Sequence, residues 1–263
     1  MGDDSWLRSG IGRSTPDAIT VRGRDLATEL MGRVTFTELA FLLAADRMPS
    51  PGETRLFDAA LVALADHGLT PSVLAARLTW TGATESLQGA VAAGLLGAGN
   101  VFLGVVEDTA RFLAPIAADG GRREAAERAV AAEIAAGRRI PGLGHPVHKV
   151  EDPRTPRLYA IAAEAGIATP HLDALRTVAE VHTAATGRRL PVNGAGVAGA
   201  VFADLGFPPG IVRGFALLAR TAGLVGHLAE EMADPIGRRL WLDVEHRAVY
   251  TAARRDDSGP GDR

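Results

Sequence analysis

The sequence predicts an all-α fold, and two observations carry that prediction. Helix-start signals recur along the chain, and each is followed by Ala- and Leu-rich residues that often stop at a glycine. Runs of alternating Val, Ile, Thr and aromatic residues, which would indicate strands, are nearly absent. The chain also has no solenoid-length repeat or low-complexity linker, so we expect any division into domains to arise from packing.

The first two predicted helices begin at capping boxes, in which a Ser or Thr and a Glu three residues later satisfy each other's backbone N–H groups. Thr35 and Glu38 open one of them. Ser50 and Glu53 open the other, which we expect to end just before Gly68.

The other predicted helices are also rich in Ala and Leu: 85–97, 122–136, 155–165, 171–186, 196–205 and 209–232. Two of these, 85–97 and 196–205, consist mainly of Ala and Gly with little polar surface. We expect both to lie inside the protein, where small residues let helices approach closely.

The composition is that of a globular protein, with 263 residues, 47% hydrophobic and 22% charged. A net charge of -3 gives no basic surface for nucleic acid. The absence of cysteine excludes disulfides and favours a reducing compartment. The acidic first residues are unlike a secretory signal, and no window approaches about 18 uninterrupted apolar residues. We therefore predict a cytoplasmic protein with neither nucleic acid nor membrane as a partner.

The most informative segment is 141–154, PGLGHPVHKVEDPR, whose glycine and proline content predicts a loop. Gly142 and Gly144 allow the main chain to approach a flat ligand closely. His145 can act as a donor, cation or base near neutral pH. Arg154 offers a planar fork that suits a carboxylate or phosphate.

This segment resembles the G-x-G-H-x-V-x-K-x-x-D-P-R signature of the citrate synthase superfamily, with His148 where the synthases usually carry tyrosine. Further segments resemble that family in the same order along the chain: 65–68 with 72–77, 97–100, 193–196, 219–227 and 235–241. The resemblance extends from about residue 19 to residue 241 and so covers most of the chain.

Within this superfamily the chain looks most similar to citryl-CoA lyases and to the C-terminal lyase module of ATP-citrate lyase. Its length favours them, and Asp66-His67-Gly68 resembles their D-H-G motif. The resemblance implies a large helical domain, 1–103 with 208–263, and an inserted small helical domain, 104–207. It also implies a homodimer and an active site between the domains.

The resemblance further assigns roles to single residues. His145 and His67 would hold the oxo oxygen of an oxaloacetate-like group. Its carboxylates would be bound by three arginines, Arg154, Arg220 and Arg238, of which Arg238 would reach a neighbouring subunit.

A CoA thioester is the implied substrate, and no permanently bound cofactor or metal is implied. Main-chain groups of the loop, with one basic side chain, would bind CoA: Gly142, Leu143, Gly144 and Lys149.

Two positions depart from the family pattern. Asn100 replaces the histidine that stabilises the enolate oxygen, although an amide can still donate a hydrogen bond. Ala195 replaces the aspartate that moves the methyl proton, and loss of such a group typically lowers the rate by about 10²–10⁴-fold.

Three functional hypotheses follow. The first is a citryl-CoA lyase-like enzyme, a carbon–carbon lyase or acyltransferase on CoA thioesters, in which Asn100 assists the enolate. The second is a catalytically lapsed protein that binds CoA thioesters or regulates a partner. The third and most remote is citrate synthase itself.

Simpler roles for single residues stay open at the level of sequence. His145 could be a loop histidine satisfied by the backbone, or could pair with His148 as two zinc ligands that lack a third. His227 lies on an apolar helix and suits a structural role. Residues 97–100 could form a simple turn.

Overall fold

The computed structural model of the protein describes residues 6–251, and most of them are helical, so the predicted all-α class is confirmed. The α-helices are α1 (Phe36–Ala45), α2 (Pro51–Ala65), α3 (Pro71–Gly82), α4 (Leu87–Ala98), α5 (Val105–Ala118), α6 (Arg123–Ala135), α7 (Arg154–Ala165), α8 (Pro170–Thr186), α9 (Gly194–Asp204), α10 (Pro209–Ala233) and α11 (Gly237–Arg247). Two short π-helical segments, Leu26–Leu30 and Gly99–Gly104, precede α1 and join α4 to α5.

Both predicted capping boxes are present. The Thr35 hydroxyl accepts from the Glu38 N–H, and the Glu38 carboxylate accepts in turn from the Thr35 N–H. Ser50 and Glu53 make the same pair of bonds at the start of α2. The five helices predicted between residues 122 and 232 correspond to α6–α10, with bounds that differ by no more than two residues.

The sequence did not predict a small antiparallel sheet formed by β1 (Gly12–Ser14), β2 (Ile19–Val21) and β3 (Arg24–Asp25). Its strands are too short to show an alternating pattern. Arg22 and Gly23, both with positive φ, form the tight turn between β2 and β3. Helices α3, α5 and α11 were also missed. Gly97, Gly99 and Gly104 interrupt the helical pattern before α5, and α11 is mostly polar.

The chain divides into two compact units, Met1–Gly68 with Ala98–Gly223 and Leu69–Gly97 with Leu224–Arg263. These bounds differ from those of the predicted domains, 1–103 with 208–263 and 104–207. The predicted division refers to the arrangement of the family and stays a prediction.

The core of the first unit surrounds α9, and most residues of that helix are fully buried. Helix α9 packs closely on α5, because a Cβ at Gly199 would lie only 2.3 Å from the carbonyl oxygen of Val106. Phenylalanine rings from α1, α2, α9, α10 and the 205–208 turn fill the space beside it: Phe41, Phe57, Phe202, Phe207 and Phe215.

The two Ala/Gly-rich helices therefore differ in burial. The expectation that 196–205 lies inside agrees with α9. Helix α4 of the single chain is only partly buried, and the side chain of Leu96 is 82% exposed. The expectation that 85–97 lies inside is thus not met within the single chain, and the predicted homodimer, in which such helices would meet, stays a prediction.

The second unit contains a buried arginine that joins several of its helices. Arg77 on α3 is only 1% exposed and donates to Glu231 and to His227 on α10, and it also pairs with Glu230. Glu231 additionally accepts the Gly237 N–H at the start of α11. These contacts agree with the structural role that the sequence suggested for His227.

Two helical stretches of the described part, Leu87–Ala118 and Pro209–Ala233, are long and apolar enough to cross a membrane by length and composition alone. This criterion is a mean hydropathy and does not contradict the prediction from the sequence, which concerned uninterrupted apolar residues: Asn100 interrupts the first stretch and Arg220 the second. Core helices of soluble proteins give the same signal, and 33% and 39% of the most apolar windows are buried. This is weak evidence for a span.

Candidate active site

The 141–154 loop lies across the N-terminus of α9. Gly142 and Gly144 have φ of 81° and 84°, which favours glycine at both positions. The backbone of the loop and the backbone of α9 are in direct contact, because a Cβ at Gly196 would lie 2.4 Å from the Gly142 Cα. Asn193, the N-cap of α9, accepts the Gly196 N–H and donates its amide to the Gly144 carbonyl.

Several main-chain groups of this loop are already paired. The Gly144 N–H donates to the Pro191 carbonyl at 2.7 Å, and the Gly142 carbonyl accepts the Asn193 N–H at 2.9 Å. The Gly144 carbonyl holds the Asn193 amide. Fewer of these groups than the resemblance implied are therefore available to a ligand, and the loop is rigid where Gly142 and Gly144 meet the 191–193 segment.

Three histidines come together beside this loop. The ring centroids of His67 and His145 are 5.1 Å apart, and those of His145 and His148 are 4.5 Å apart. His148 lies 5.6 Å from His67 by the same measure. His67, just beyond the end of α2, thus meets two residues that are distant in sequence. We call these three residues the histidine cluster.

The backbone fixes the protonation of His145. Its Nδ1 accepts the N–H groups of Val147 at 3.1 Å and His148 at 2.9 Å. An acceptor at Nδ1 leaves the ring proton on Nε2 in the neutral form, so His145 presents an N–H donor. Burial, followed by the neighbouring His148, lowers the pKa of His145 and favours that neutral form.

His67 is also held neutral. Burial is the main cause that lowers the pKa of His67, and the positive charge of Arg154 lowers it further. Two neutral imidazoles beside one another can donate to one oxygen without adding a full charge to the site.

The cluster has the composition of a metal site, because one nitrogen from each ring lies within 4.8 Å of the others. His67 supplies the third ligand that the sequence lacked for a zinc site. A metal on His145 Nε2 would, however, move the ring proton to Nδ1, where it would face two backbone N–H donors. The geometry therefore favours hydrogen-bond donation over metal binding.

Arg154 is clamped by a buried acid. Asp152, 0% exposed, accepts from Arg154 Nε at 2.9 Å and Nη2 at 2.7 Å. The Gly194 N–H donates to the same carboxylate at 2.8 Å. A Cβ at Gly194 would lie 2.1 Å from Arg154 Cζ, so a glycine there lets the guanidinium lie against the backbone. The remaining N–H groups of Arg154 lie on its Nη1 and Nη2 atoms.

This clamp predicts an acid-dependent stability. Burial raises the pKa of Asp152, but its bonds to Arg154 and Gly194 outweigh burial and bring it to about 2, against 3.8 for an ordinary Asp. A depressed pKa stabilises the fold above about pH 4, and that stability is lost as the pH falls to about 2. Between about pH 4 and pH 2 we expect the free energy of unfolding of the wild type to fall by about 2 kcal/mol more than that of Asp152→Asn, as measured by urea unfolding.

Asp173→Asn is the matched control, since Asp173 is an exposed acid. It should keep the wild-type acid dependence. An Asp152→Asn protein with the same pH profile as wild type would contradict the clamp.

Arg220 is a buried cation with unsatisfied donors. Its Nε and Nη1 atoms are buried and have no hydrogen-bond partner. The Asp66 carboxylate lies 4.0 Å from Nη1, and burial lowers the pKa of Arg220. Such an arginine is costly unless an anion meets it, so Arg220 indicates an anion site. Because Asp66 directly precedes His67, this contact brings Arg220 close to the histidine cluster.

The other predicted site residues are less closely tied to the cluster. Asn100 accepts from Arg213 Nη1 at 2.7 Å, and Arg213 Nε lies 2.9 Å from Glu107. No hydrogen bond within the described residues joins Asn100 to a histidine. Lys149 donates to the His145 carbonyl at 3.1 Å, and Arg238 is exposed on α11.

The sequence reading missed three residues that shape this site. Asp152 holds Arg154, Asn193 ties the loop to α9, and Arg213 orients Asn100. The D-P-R spacing could have indicated the Asp152–Arg154 pair. Arg213 lies seven residues before Arg220, which places both on one face of α10.

Comparisons with known proteins identify the family of the chain. The family model described as "Citrate synthase, C-terminal domain" matches residues 41–241, about three quarters of the chain. The chain belongs to the citrate synthase family. The citrate-synthase-like fold expected from the sequence is thereby confirmed.

Solved structures of this family are similar along nearly the whole chain. The citryl-CoA lyase of Hydrogenobacter thermophilus has a TM-score of 0.85 at 31% identity, with 95% of this chain and 96% of that one covered. An ATP citrate lyase from Methanothrix soehngenii, solved in complex with citrate and coenzyme A, has a TM-score of 0.78 at 23% identity, over 97% and 43% of the two chains. The second likeness shows the fold alone.

Curated relatives are longer. The citrate synthase-like protein oryE of Aspergillus oryzae is 28% identical over 79% of this chain and 46% of its own. The ATP-citrate synthase beta chain protein 2 of Arabidopsis thaliana is 27% identical over 73% and 34%. The chain thus spans about a third to a half of the length of these relatives.

Proposed function

We propose that this member of the citrate synthase family is a citryl-CoA lyase-like enzyme. It would cleave, or form in the reverse direction, the carbon–carbon bond between an acyl-CoA enolate and a 2-oxo acid such as oxaloacetate. Its likeness to the Hydrogenobacter thermophilus lyase supports an enzyme that acts on CoA thioesters. A CoA thioester is then a substrate, and no permanently bound cofactor is proposed.

One observation carries the proposal: two neutral histidine donors, His67 and His145, adjoin a buried arginine with unsatisfied donors. That arginine, Arg220, has no hydrogen-bond partner at Nε and Nη1, and it approaches Asp66, the residue before His67, to 4.0 Å. Cleavage of citryl-CoA turns a tertiary hydroxyl into the carbonyl of oxaloacetate, so negative charge passes through that oxygen. The N–H groups of His145 and His67 would stabilise it, as donors do in oxyanion sites. Arg220 and the unused N–H groups of Arg154 would hold the carboxylates.

Asn100 would serve the enolate. Because a guanidinium has only donors, the Asn100 atom that faces Arg213 is its oxygen. The amide N–H groups are then left to donate to an enolate oxygen. Arg213, fixed by Glu107, would thus orient this amide.

CoA would bind along the 142–149 loop. The paired carbonyls of Gly142 and Gly144 make the loop rigid, and Lys149 adds a positive charge that suits phosphate. The loop offers fewer unpaired main-chain groups than the resemblance implied. We therefore assign much of the affinity for CoA to the complementary shape of the loop and less to main-chain hydrogen bonds.

A homodimer in the cytoplasm is part of the proposal. Leu96 and Val101 expose apolar side chains on the stretch from 87 to 118, and a partner subunit would cover them. Arg238 would then contribute to the partner's site. Sedimentation at micromolar concentration distinguishes this dimer from a monomer.

A second candidate is a catalytically lapsed protein that binds CoA thioesters. Ala195 favours it, because an alanine at the position of the family aspartate carries no proton. Citrate synthase activity is a more remote alternative and meets the same objection.

Calorimetry and a cleavage assay test the proposal together. We expect the wild type to bind CoA at up to millimolar concentration and to release acetyl-CoA and oxaloacetate from citryl-CoA. Gly144→Val should bind CoA weakly, since Gly144 has a φ of 84° that valine strains to adopt.

The matched control is Gly166→Val, with a similar φ of 65° at the end of α7. It should carry similar strain and keep CoA binding. Binding without cleavage by the wild type would favour the lapsed protein. Absence of CoA binding by the wild type, with or without oxaloacetate, would refute both candidates.

A further inference from the structure

The proposed reaction needs a group that moves one proton, and the family position for it holds Ala195. Asp152 is a buried carboxylate that is hydrogen-bonded to Gly194, the neighbour of Ala195, but it accepts four hydrogen bonds from Arg154 and Gly194. A carboxylate held in this way cannot take up a proton near neutral pH. His145 has its Nδ1 occupied by two backbone N–H groups, so it cannot accept a proton without breaking them.

His148 is the remaining member of the histidine cluster. Its ring faces His145 at 4.5 Å and His67 at 5.6 Å, and it is partly exposed. Within the described residues, neither of its ring nitrogens makes a hydrogen bond. One nitrogen is therefore available to accept a proton and later to donate it.

We propose that His148 is the acid–base residue of this protein and does the work that Ala195 cannot do. The inference rests on the proposed lyase function. His148 takes the proton of the tertiary hydroxyl of citryl-CoA, and the bond to the methylene beside the thioester breaks. The hydroxyl carbon becomes the carbonyl of oxaloacetate. The same proton then passes from the imidazolium to the enolate carbon, which gives acetyl-CoA, so the step balances with no further reactant.

The spacing of the cluster allows this transfer. A substrate oxygen bound by His67 and His145 lies about 2.7–3.2 Å from their donor nitrogens. The three rings place one nitrogen each within 4.8 Å of the others, so the same oxygen is within reach of His148. The enolate carbon is two bonds from that oxygen. One imidazole can therefore serve both atoms in turn.

The charged and titratable groups around the histidine cluster lie on several elements. They are His145 and Lys149 on the loop of His148, Asp152 and Arg154 at the start of α7, His67 and Asp66 after α2, and Arg220 on α10. His67 and His145 are held neutral by burial, so they titrate below the ordinary histidine range of about 6.5.

The test compares His148→Phe with wild type. We expect CoA and citrate binding to be kept, because phenylalanine preserves a flat ring, and we expect single-turnover cleavage of citryl-CoA to fall about 10²–10⁴-fold. Deuterium exchange from solvent into the methyl group of acetyl-CoA should be lost as well. His246→Phe, an exposed histidine on α11, is the control and should leave all of these unchanged.

A rescue separates proton transfer from structure. Ala195→Asp in the His148→Phe background restores an acid at the family position, and we expect it to recover part of the lost rate. Cleavage by His148→Phe at the wild-type rate would overturn the inference while the proposed function stands. Equal loss of binding and cleavage, without rescue, would also overturn it. A wild type that binds neither CoA nor citrate would remove the proposed function itself.

Discussion

Gly199→Ala is expected to destabilise the protein by about 3 kcal/mol or more, a large share of the stability of an ordinary domain. The added Cβ would lie 2.3 Å from the Val106 carbonyl oxygen and 3.1 Å from its carbon. Both are backbone atoms of α5, so relief requires α5 and α9 to separate. Urea unfolding followed by circular dichroism measures the change.

Gly214→Ala on α10 is the matched control. Its Cβ would meet only Ile211 Cδ1, at an ordinary 3.6 Å. Since alanine favours helix more than glycine, this variant should be more stable than wild type by about 0.5–1 kcal/mol. If Gly199→Ala lowered the free energy of unfolding by no more than Gly214→Ala changes it, α5 and α9 would not pack as described.

Arg220→Met is expected to have opposite effects on ligand binding and on stability. Removing a buried cation that meets a carboxylate typically costs about 3 kcal/mol, which corresponds to about 100-fold weaker citrate binding. Without ligand, however, Arg220 is poorly paired and burial lowers its pKa. The unliganded variant should therefore be as stable as wild type or more stable.

Calorimetry with citrate and urea unfolding without it measure the two effects. Arg188→Met, at an exposed position after α8, should change neither. Unchanged citrate affinity in Arg220→Met would remove this arginine from the site. A strong loss of stability without ligand would show that Arg220 supports the fold.

The sequence alone determined most of the helices. Capping at Thr35 and Ser50 is a local interaction between residues three apart, so it could be predicted and is present. Gly166 and Gly187 end α7 and α8 with positive φ, for the same local reason. Local rules failed for α5, because glycines at 97, 99 and 104 interrupt the helical pattern before it. They also failed for the short hairpin around Arg22, whose strands are too short to show alternation.

The sequence motifs also indicated the family, and the match over residues 41–241 confirmed it. They named His67, His145, Arg154 and Arg220 as site residues. In the structure the two histidine rings adjoin, and the two arginines contact Ala63 and Asp66, just before His67 in the chain. Their roles, together with those of Asn100, Lys149 and Arg238, stay predictions.

Only the tertiary structure decided which groups remain available for chemistry. His148 looked like a substituted tyrosine until its ring was placed beside His67, far away in sequence. Asp152 fixes the orientation of the Arg154 guanidinium. The backbone N–H groups of residues 147 and 148 fix the tautomer of His145. The sequence therefore determines which residues are present and where helices begin, because those depend on neighbours along the chain. Hydrogen-bond partners, burial and protonation depend on neighbours in space, and so only the fold could assign them.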